Sequence, residues 1–148
     1  MIRKITKEDR TLFVQLMDEF YHSPAVLHPI PEQVYAEVFE EMTSSDRYVL
    51  GYILEVEGQA AGYALLSKGF STEVGGQEIW VEEVYIREAF RSHGLGRSLF
   101  AYLEETFRST VRRLRLEVEP DNTRAIELYR RLGFEVLGYT QMIKRLDE

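Results

Sequence analysis

The segment REAFRSHGLGRSLF, residues 87–100, joins a strand-like apolar run to a helix-like one. It places Gly94 and Gly96 two positions apart among three arginines. The third glycine of a dinucleotide fingerprint is missing, and no Gly-Lys-Ser/Thr follows as in a Walker loop. Because a helix N-terminus presents unpaired N–H groups and partial positive charge, the segment predicts a cradle for a pyrophosphate. A plain glycine-rich turn from strand to helix is the alternative.

Composition is that of an ordinary soluble domain. Of the 148 residues, 45% are hydrophobic and 29% charged, a balance that predicts a packed core rather than disorder. No run is long enough to span a membrane, and the N-terminus lacks the apolar region of a secretion signal. Cysteine is absent, which excludes disulfides and thiol catalysis. We therefore expect one domain over residues 1–148, no membrane partner and a cytoplasmic location.

Charge is distributed unevenly along the chain. Residues 1–86 carry 15 acidic and 6 basic side chains, a balance of −9, whereas residues 87–148 carry 10 and 12, a balance of +2. The overall charge of −7 argues against nucleic acid as a partner. The basic half predicts a small polyanion and the acidic half a cation, with chance scatter of surface charge as the alternative.

Hydrophobic periodicity and turn residues predict the element order β-α-α-β-β-β-α-β-α-β-β. Pro31 is placed to be the first residue of the second helix, and Glu57-Gly58-Gln59 predicts a hairpin turn. Gly133 is expected to end the last helix, and two strands around Gly138 to close the chain. The expected strands cover residues 2–5, 48–56, 60–70, 78–86, 112–118 and two stretches within 134–146. This order predicts a single mixed α/β domain.

Two stretches of the sequence resemble the signatures of the GNAT superfamily of N-acetyltransferases. Arg91-Ser92-His93-Gly94-Leu95-Gly96 is similar to its R/Q-x-x-G-x-G/A motif, and residues 122–134 are similar to N-x-x-A-x-x-[LF]-Y-x-[KR]-x-G-F. The predicted order of elements is also that of the family over essentially the whole chain. The resemblance implies the GNAT-type fold.

The resemblance also implies acetyl-CoA as the acetyl donor, with direct transfer of the acetyl group to an amine. Backbone N–H groups of the glycine loop are expected to hold the pyrophosphate. The preceding strand is expected to pair with the pantetheine arm and to stabilise the thioester oxyanion. A helix-cap role for Asn122 is compatible with a cofactor contact. The expected cofactor-binding residues are Val84, Tyr85, Ile86, Arg91, Ser92, His93, Gly94, Leu95, Gly96, Arg97 and Asn122.

Two adjacent carboxylates interrupt the third long strand, which is otherwise apolar on both faces. Alternation predicts Ile79, Val81 and Tyr85 on one face, and Trp80, Val84 and Ile86 on the other. Glu82 and Glu83 are expected one on each face, paired or at a cleft, because buried unpaired carboxylates are costly. The pair resembles that of polyamine-acetylating GNATs. We expect Glu82 to be the general base and Glu83 to anchor the acceptor, with a structural salt bridge as the alternative for either.

Tyr129 lies on the apolar face of the last helix, so its spacing alone predicts a core residue. The resemblance implies a different role, as the acid that protonates the departing CoA thiolate. The loop between the first two helices is expected to cover the acceptor pocket as a polar and aromatic lid, or to be a plain surface loop. Its candidate substrate-binding residues are Tyr21, His22, His28 and Tyr35. The two histidines are not at metal-ligand spacing, so no metal is expected.

The sequence therefore predicts an acetyl-CoA-dependent N-acetyltransferase that acts on a primary amine of a small cationic acceptor. Protein or peptide N-acetylation, and a non-catalytic acyl-CoA-binding module of the same fold, are the alternatives. A homodimer is compatible with the resemblance, and the last strands offer an edge for pairing.

Overall fold

The computed structural model describes residues 1–147. The chain forms two compact units, of which the first comprises Met1–Glu117 and the second begins at Val118. Five strands are formed: β1 Ile2–Lys4, β2 Val49–Val56, β3 Gln59–Ser71, β4 Gly76–Ile86 and β5 Arg113–Leu116. The α-helices are α1 Arg10–Tyr21, α2 Glu32–Ser44, α3 Leu95–Phe107 and α4 Thr123–Arg131, and short 3₁₀ turns cover Lys7–Asp9 and Glu88–Phe90. The mixed α/β class and the order of elements as far as α4 are confirmed.

The first unit contains one five-stranded sheet in the order β1-β2-β3-β4-β5. All neighbouring strands are antiparallel except β4 and β5, which are parallel and are joined through α3. Glu57 and Gly58 have φ of 51° and 78°, the left-handed conformation that a tight hairpin turn needs between β2 and β3. The predicted hairpin is confirmed.

Helices α1 and α2 cover one face of the sheet. Phe13 of α1 contacts Phe39 of α2 with ring centroids 5.5 Å apart, and it meets the ring of Tyr63 on β3 edge-on at 6.0 Å. Each of these rings is 3% exposed or less, so they form the centre of the core. Pro31 is the N-cap of α2 rather than its first helical residue, one position from the prediction. Its extended backbone and missing N–H suit either position.

Helix α3 packs on the opposite face of the sheet. The ring of its Tyr102 contacts Tyr52 of β2 at 5.5 Å, and Leu99, Phe100 and Leu103 are buried. Leu99 and Leu103, four positions apart, therefore lie on the core-facing side of this helix. Because the helix is fixed by this packing, its N-terminus is held at a defined place beside the end of β4.

A β-bulge interrupts β4 at Glu82. The register pairs Leu65 with Glu83 but Leu66 with Val81, so Glu82 has no partner on β3. One extra residue reverses the alternation of side chains. Val81 and residues before it at odd positions therefore face α3, whereas Glu83 and Tyr85 face α1 and α2. The prediction that Ile79, Val81 and Tyr85 share a face was wrong because it assumed an uninterrupted strand.

The second unit contains α4 and the segment after it. Gly133 has a φ of 95° directly after the helix, and the Phe134 N–H donates to the carbonyl of Tyr129 at 2.9 Å, which confirms the predicted helix end. The two strands predicted around Gly138 are not formed, since no ladder joins residues 134–147 to another strand among the residues described. A strand needs a neighbour for its N–H and C=O groups, and alternation in the sequence does not supply one. The apolar side chains of this segment that are most exposed, 72% to 92%, are Val136, Tyr139, Met142, Ile143 and Leu146.

Candidate active site

The glycine loop forms an open helix N-terminus. Ser92 and Gly94 have φ of 65° and 78°, and this left-handed conformation turns the chain into α3 at Leu95. Gly94 is the N-cap and has no side chain to accept from the first N–H groups, which leaves them open to an anion. Gly96, by contrast, lies in the first helical turn of α3 and is not among the glycines with positive φ.

Two arginines flank this N-terminus in different ways. Arg91 donates its Nε–H to the carbonyl of Ile86 at 2.8 Å, which ties the loop to the end of β4. Arg97 lies on the first turn of α3 and is exposed. Ser92 and His93, in the loop before the helix, are also exposed. The structure thus brings the predicted pyrophosphate-binding residues together around one helix end, with guanidinium groups available to balance an anion's charge.

The second half of β4 has an open edge. Strand β5 pairs only with Glu78–Val81, whereas β4 continues to Ile86 and pairs there with β3 alone among the strands described. Val84, Tyr85 and Ile86 line a cleft of about 250 Å³ together with Phe20, Ser23, Ala25 and Arg91. This edge can accept an extended ligand as an added strand, with the ligand's far end near the glycine loop.

The two glutamates of β4 have different surroundings. Glu83 is partly buried and accepts a hydrogen bond from the hydroxyl of Tyr63 at 2.7 Å, and Tyr21 also donates to it. Desolvation by burial raises the pKa of Glu83, although both tyrosine hydrogen bonds act in the opposite direction. Burial and the nearby Glu83 charge raise the pKa of each tyrosine, so both hydroxyls keep the proton that they donate.

Glu82, the bulge residue, is exposed. Its Oε1 accepts from the hydroxyl of Ser67 at 2.6 Å. A carboxylate with one neutral donor and open access to solvent can bind an incoming ammonium group. The bulge therefore separates two adjacent carboxylates into one enclosed by tyrosines and one facing solvent.

A polar network that sequence reasoning missed joins α1 to the end of β4. Arg87 donates to both carboxylate oxygens of Glu19, at 3.0 and 2.7 Å, and to the carbonyl of Ala60 at 3.1 Å. The hydroxyl of Tyr85 donates to the same carboxylate at 3.2 Å. The Arg87 hydrogen bonds lower the pKa of Glu19, so the pair stays ionised and fixes α1 beside the cleft. The arginines of residues 87–100 were the available signal, but nothing in the sequence identified Glu19 as the partner of Arg87.

The lid candidates divide into two pairs. The rings of Tyr21 and Tyr35 are 5.8 Å apart, and Tyr35 is 1% exposed within the core between α1 and α2. His22 is exposed at the end of α1, with Nδ1 3.2 Å from a carboxylate oxygen of Asp18, and His28 is exposed in the following loop. The structure therefore brings the two tyrosines to the neighbourhood of Glu83 and leaves both histidines on the surface.

Two candidate residues belong to the second unit. The side chain of Asn122 accepts from the N–H of Ala125 at 3.2 Å, so its role as a helix cap is confirmed. Burial raises the pKa of the Tyr129 hydroxyl, which keeps it protonated at neutral pH, and its ring contacts that of Phe134 at 5.8 Å. A protonated phenol is the form that a general acid requires.

No group of three or more acidic or histidine side chains among residues 1–147 is arranged to hold a metal ion. Within the same residues, no helix has both the length and the apolar character that crossing a bilayer demands.

An open helix N-terminus beside a half-paired strand can hold a pyrophosphate and an extended arm attached to it, and comparison with known proteins identifies the family. The model of the "Acetyltransferase (GNAT) family" matches residues 12–134, which include both signature motifs. The chain belongs to the GNAT acetyltransferase family.

An uncharacterised N-acetyltransferase of Methanocaldococcus jannaschii is 27% identical over 98% of this chain and 66% of its own length. A spermine/spermidine N(1)-acetyltransferase of Bacillus subtilis is 29% identical over 57% of this chain and 59% of its own. The alignments thus cover about two thirds or less of these curated relatives. The solved structure of an aminoglycoside N-acetyltransferase in complex with CoA superposes with a TM-score of 0.78 at 19% identity, over 99% of this chain and 94% of that one. This likeness confirms the fold.

Proposed function

We propose that the protein transfers the acetyl group of acetyl-CoA to a primary amine of a small cationic acceptor. The observation that carries the proposal is Glu83, a carboxylate with a raised pKa, held by two tyrosine hydroxyls on the strand whose open edge borders the cleft. Such a group can take a proton from an ammonium ion at neutral pH. Family membership and the shape of the glycine loop support acetyl-CoA as the donor.

The residues of the first unit fit acetyl-CoA. The N–H groups of Ser92–Arg97 would hold its pyrophosphate, and the backbone of Val84–Ile86 would pair with its pantetheine arm. From the family signature that begins at Asn122, we propose that this residue also contacts the cofactor. Acetyl-CoA supplies a thioester whose carbonyl carbon is attacked by the neutral amine while CoA leaves as the thiolate. An N–H of β4 directed at the carbonyl oxygen would stabilise the charge that develops there.

We propose roles for the two glutamates that are opposite to those expected from the sequence. We assign proton removal to Glu83, because its raised pKa and enclosed position suit a base. We assign ammonium binding to Glu82, because it is exposed and its one hydrogen-bond donor is neutral. From the family signature that contains it, we propose that Tyr129 gives its proton to the CoA thiolate; burial raises the pKa of its hydroxyl, which is therefore protonated at neutral pH.

A cationic acceptor is supported by the acidic half of the chain and by this pair of carboxylates. The relationship to a spermine/spermidine N(1)-acetyltransferase points in the same direction, although that alignment covers 57% of the chain. The single domain, the cytoplasmic location and the homodimer stay predictions.

A thiol-release assay with acetyl-CoA and an acceptor panel tests the proposal. Polyamines, aminoglycosides and lysine-like amines should be acetylated faster than arylamines, and rates should fall as salt screens the carboxylates. Glu83→Gln should abolish most turnover, whereas Glu104→Gln on the exposed side of α3 should not. Binding of acetyl-CoA without thiol release for any amine or peptide would establish the non-catalytic alternative. Turnover of peptides alone would establish the protein acetyltransferase.

A further inference from the structure

A second polar cluster lies on the same sheet face as Glu83, beyond the bulge. Ser67 of β3, Trp80 of β4 and Arg115 of β5 are cross-strand partners in one row, so their side chains lie on one face. Leu65, two residues before Ser67, belongs to the core under α1 and α2. The row therefore continues the face of the proposed acceptor site along the strands.

Arg115 is held in a fixed orientation with little charge compensation. Its guanidinium carbon lies 4.3 Å from the centre of the Trp80 ring, a cation–π stack that orients the flat guanidinium. Its one carboxylate contact within residues 1–147 is with Glu78, at 3.5 Å. Glu78 is bound more closely by Arg113, which also pairs with Glu73 at 2.6 Å. Glu73 and Glu78 thus mainly neutralise Arg113, and most N–H groups of Arg115 bind no other group among the described residues.

Glu82 supplies the opposite charge on this surface. Its one hydrogen bond among the described residues comes from Ser67, in the same row as Trp80 and Arg115. Glu82 lies two residues along β4 from Trp80, and Arg115 is the partner of Trp80 on the neighbouring strand. The backbones of Glu82 and Arg115 are therefore roughly 8 Å apart. The face thus presents an anion, Glu82, and a cation, Arg115, that do not form an ion pair with each other. The distance between them is about the length of one short aliphatic chain.

We propose that Arg115, stacked on Trp80, binds a carboxylate of the acceptor, so that the acceptor is a lysine-like ω-amino acid. Its amine lies at Glu82 and Glu83, and its carboxylate accepts a forked pair of hydrogen bonds from the guanidinium. Arg115 is then a specificity-determining residue. The inference rests on the proposed function and narrows its acceptor from any cationic amine to one with a carboxylate at the far end.

The test compares L-lysine with L-lysinamide, which differ only in the carboxylate, and includes cadaverine, which lacks it altogether. Wild-type kcat/KM should be roughly 10–100-fold higher for lysine than for the other two, the usual worth of hydrogen bonds to a charged group. Arg115→Gln should remove that preference by lowering the value for lysine alone. Arg115→Lys should restore part of it, because charge is retained and the fork is lost. Arg112→Gln, the same change at an exposed neighbour, should leave the preference intact.

Calorimetry of lysine and lysinamide binding in the presence of CoA separates the proposed acetyl transfer from the proposed carboxylate site at Arg115. Lysine binding that requires Arg115, without turnover of any amine, would refute the proposed acetyl transfer and keep the carboxylate site. Turnover of cadaverine or lysinamide as efficient as that of lysine would overturn the carboxylate site and keep the transferase. An equal loss for all three amines in a folded Arg115→Gln would also overturn it.

Discussion

Replacing Tyr63 by phenylalanine isolates the hydrogen bond that defines Glu83. The Tyr63 ring is fully buried and meets the rings of Phe13 and Phe20 edge-on at 6.0 and 6.1 Å, contacts that phenylalanine keeps. The substitution removes only the hydroxyl that donates to Glu83 at 2.7 Å. Any large effect therefore reports on the carboxylate and not on packing.

The size of the effect should depend on pH. Burial raises the pKa of Glu83, so this residue favours folding below its unfolded pKa, and that contribution is lost as the pH rises through the folded value. The Tyr63 hydroxyl acts the other way because it stabilises the ionised form. Its removal raises the pKa of Glu83 further. The stability loss should be about 0.5–1.5 kcal/mol where Glu83 is protonated and about 1.5–3 kcal/mol where it is ionised.

Urea unfolding of wild type and Tyr63→Phe across a pH series measures this difference, and kcat/KM across the same series should show its acidic limb moved to higher pH. Tyr52→Phe is the matched control. Tyr52 is 5% exposed on the opposite face, where burial raises its pKa to about 12, and it has no hydrogen-bonded carboxylate among the described residues. Its loss should be small and independent of pH. A pH-independent loss in Tyr63→Phe, with an unmoved acidic limb, would refute the role given to Glu83.

Four further substitutions test the rest of the site. Gly94→Ala should weaken CoA binding in calorimetry and cost about 1 kcal/mol, from its left-handed φ of 78° alone, since no atom lies within 4 Å of the added Cβ; unchanged affinity would make the loop a mere connector. Glu82→Gln should raise KM for a cationic acceptor roughly tenfold at low salt and less at high salt, whereas a fall in kcat alone would return the base to Glu82. Gly62→Ala places a Cβ 2.0 Å from the carbonyl oxygen of Tyr85, so it should cost about 1–3 kcal/mol in urea unfolding and weaken CoA binding by displacing β4; wild-type values for both would show that the strand shifts freely. Tyr129→Phe should lower turnover by roughly 10²–10⁴-fold with acetyl-CoA affinity unchanged, and less so with a thioester of a better leaving thiol; full activity would return this tyrosine to the core.

Local signals were sufficient where local chemistry decides the structure. Glycine at positions 58 and 94 occurs where the backbone takes a left-handed conformation, and the hairpin and the start of α3 follow directly. The apolar repeat of α3 predicts its buried side because that side packs on the sheet. Segment 134–147 shows the limit, since its alternating apolar residues predicted strands and only a neighbouring strand could have formed them.

The partners of the site residues depend on register, which a pattern of residue types does not contain. Only residues 72–75 separate β3 from β4, so an antiparallel pairing that brings Tyr63 near residues 83–85 could have been inferred from the sequence. The bulge could not be inferred from the sequence, because one unpaired residue leaves the pattern of residue types unchanged. Its effect is nevertheless decisive: it places Glu83 under α1 beside Tyr63 and leaves Glu82 in solvent. Two identical side chains, adjacent in sequence, thereby acquire different surroundings, one enclosed by tyrosine hydroxyls and one open to solvent.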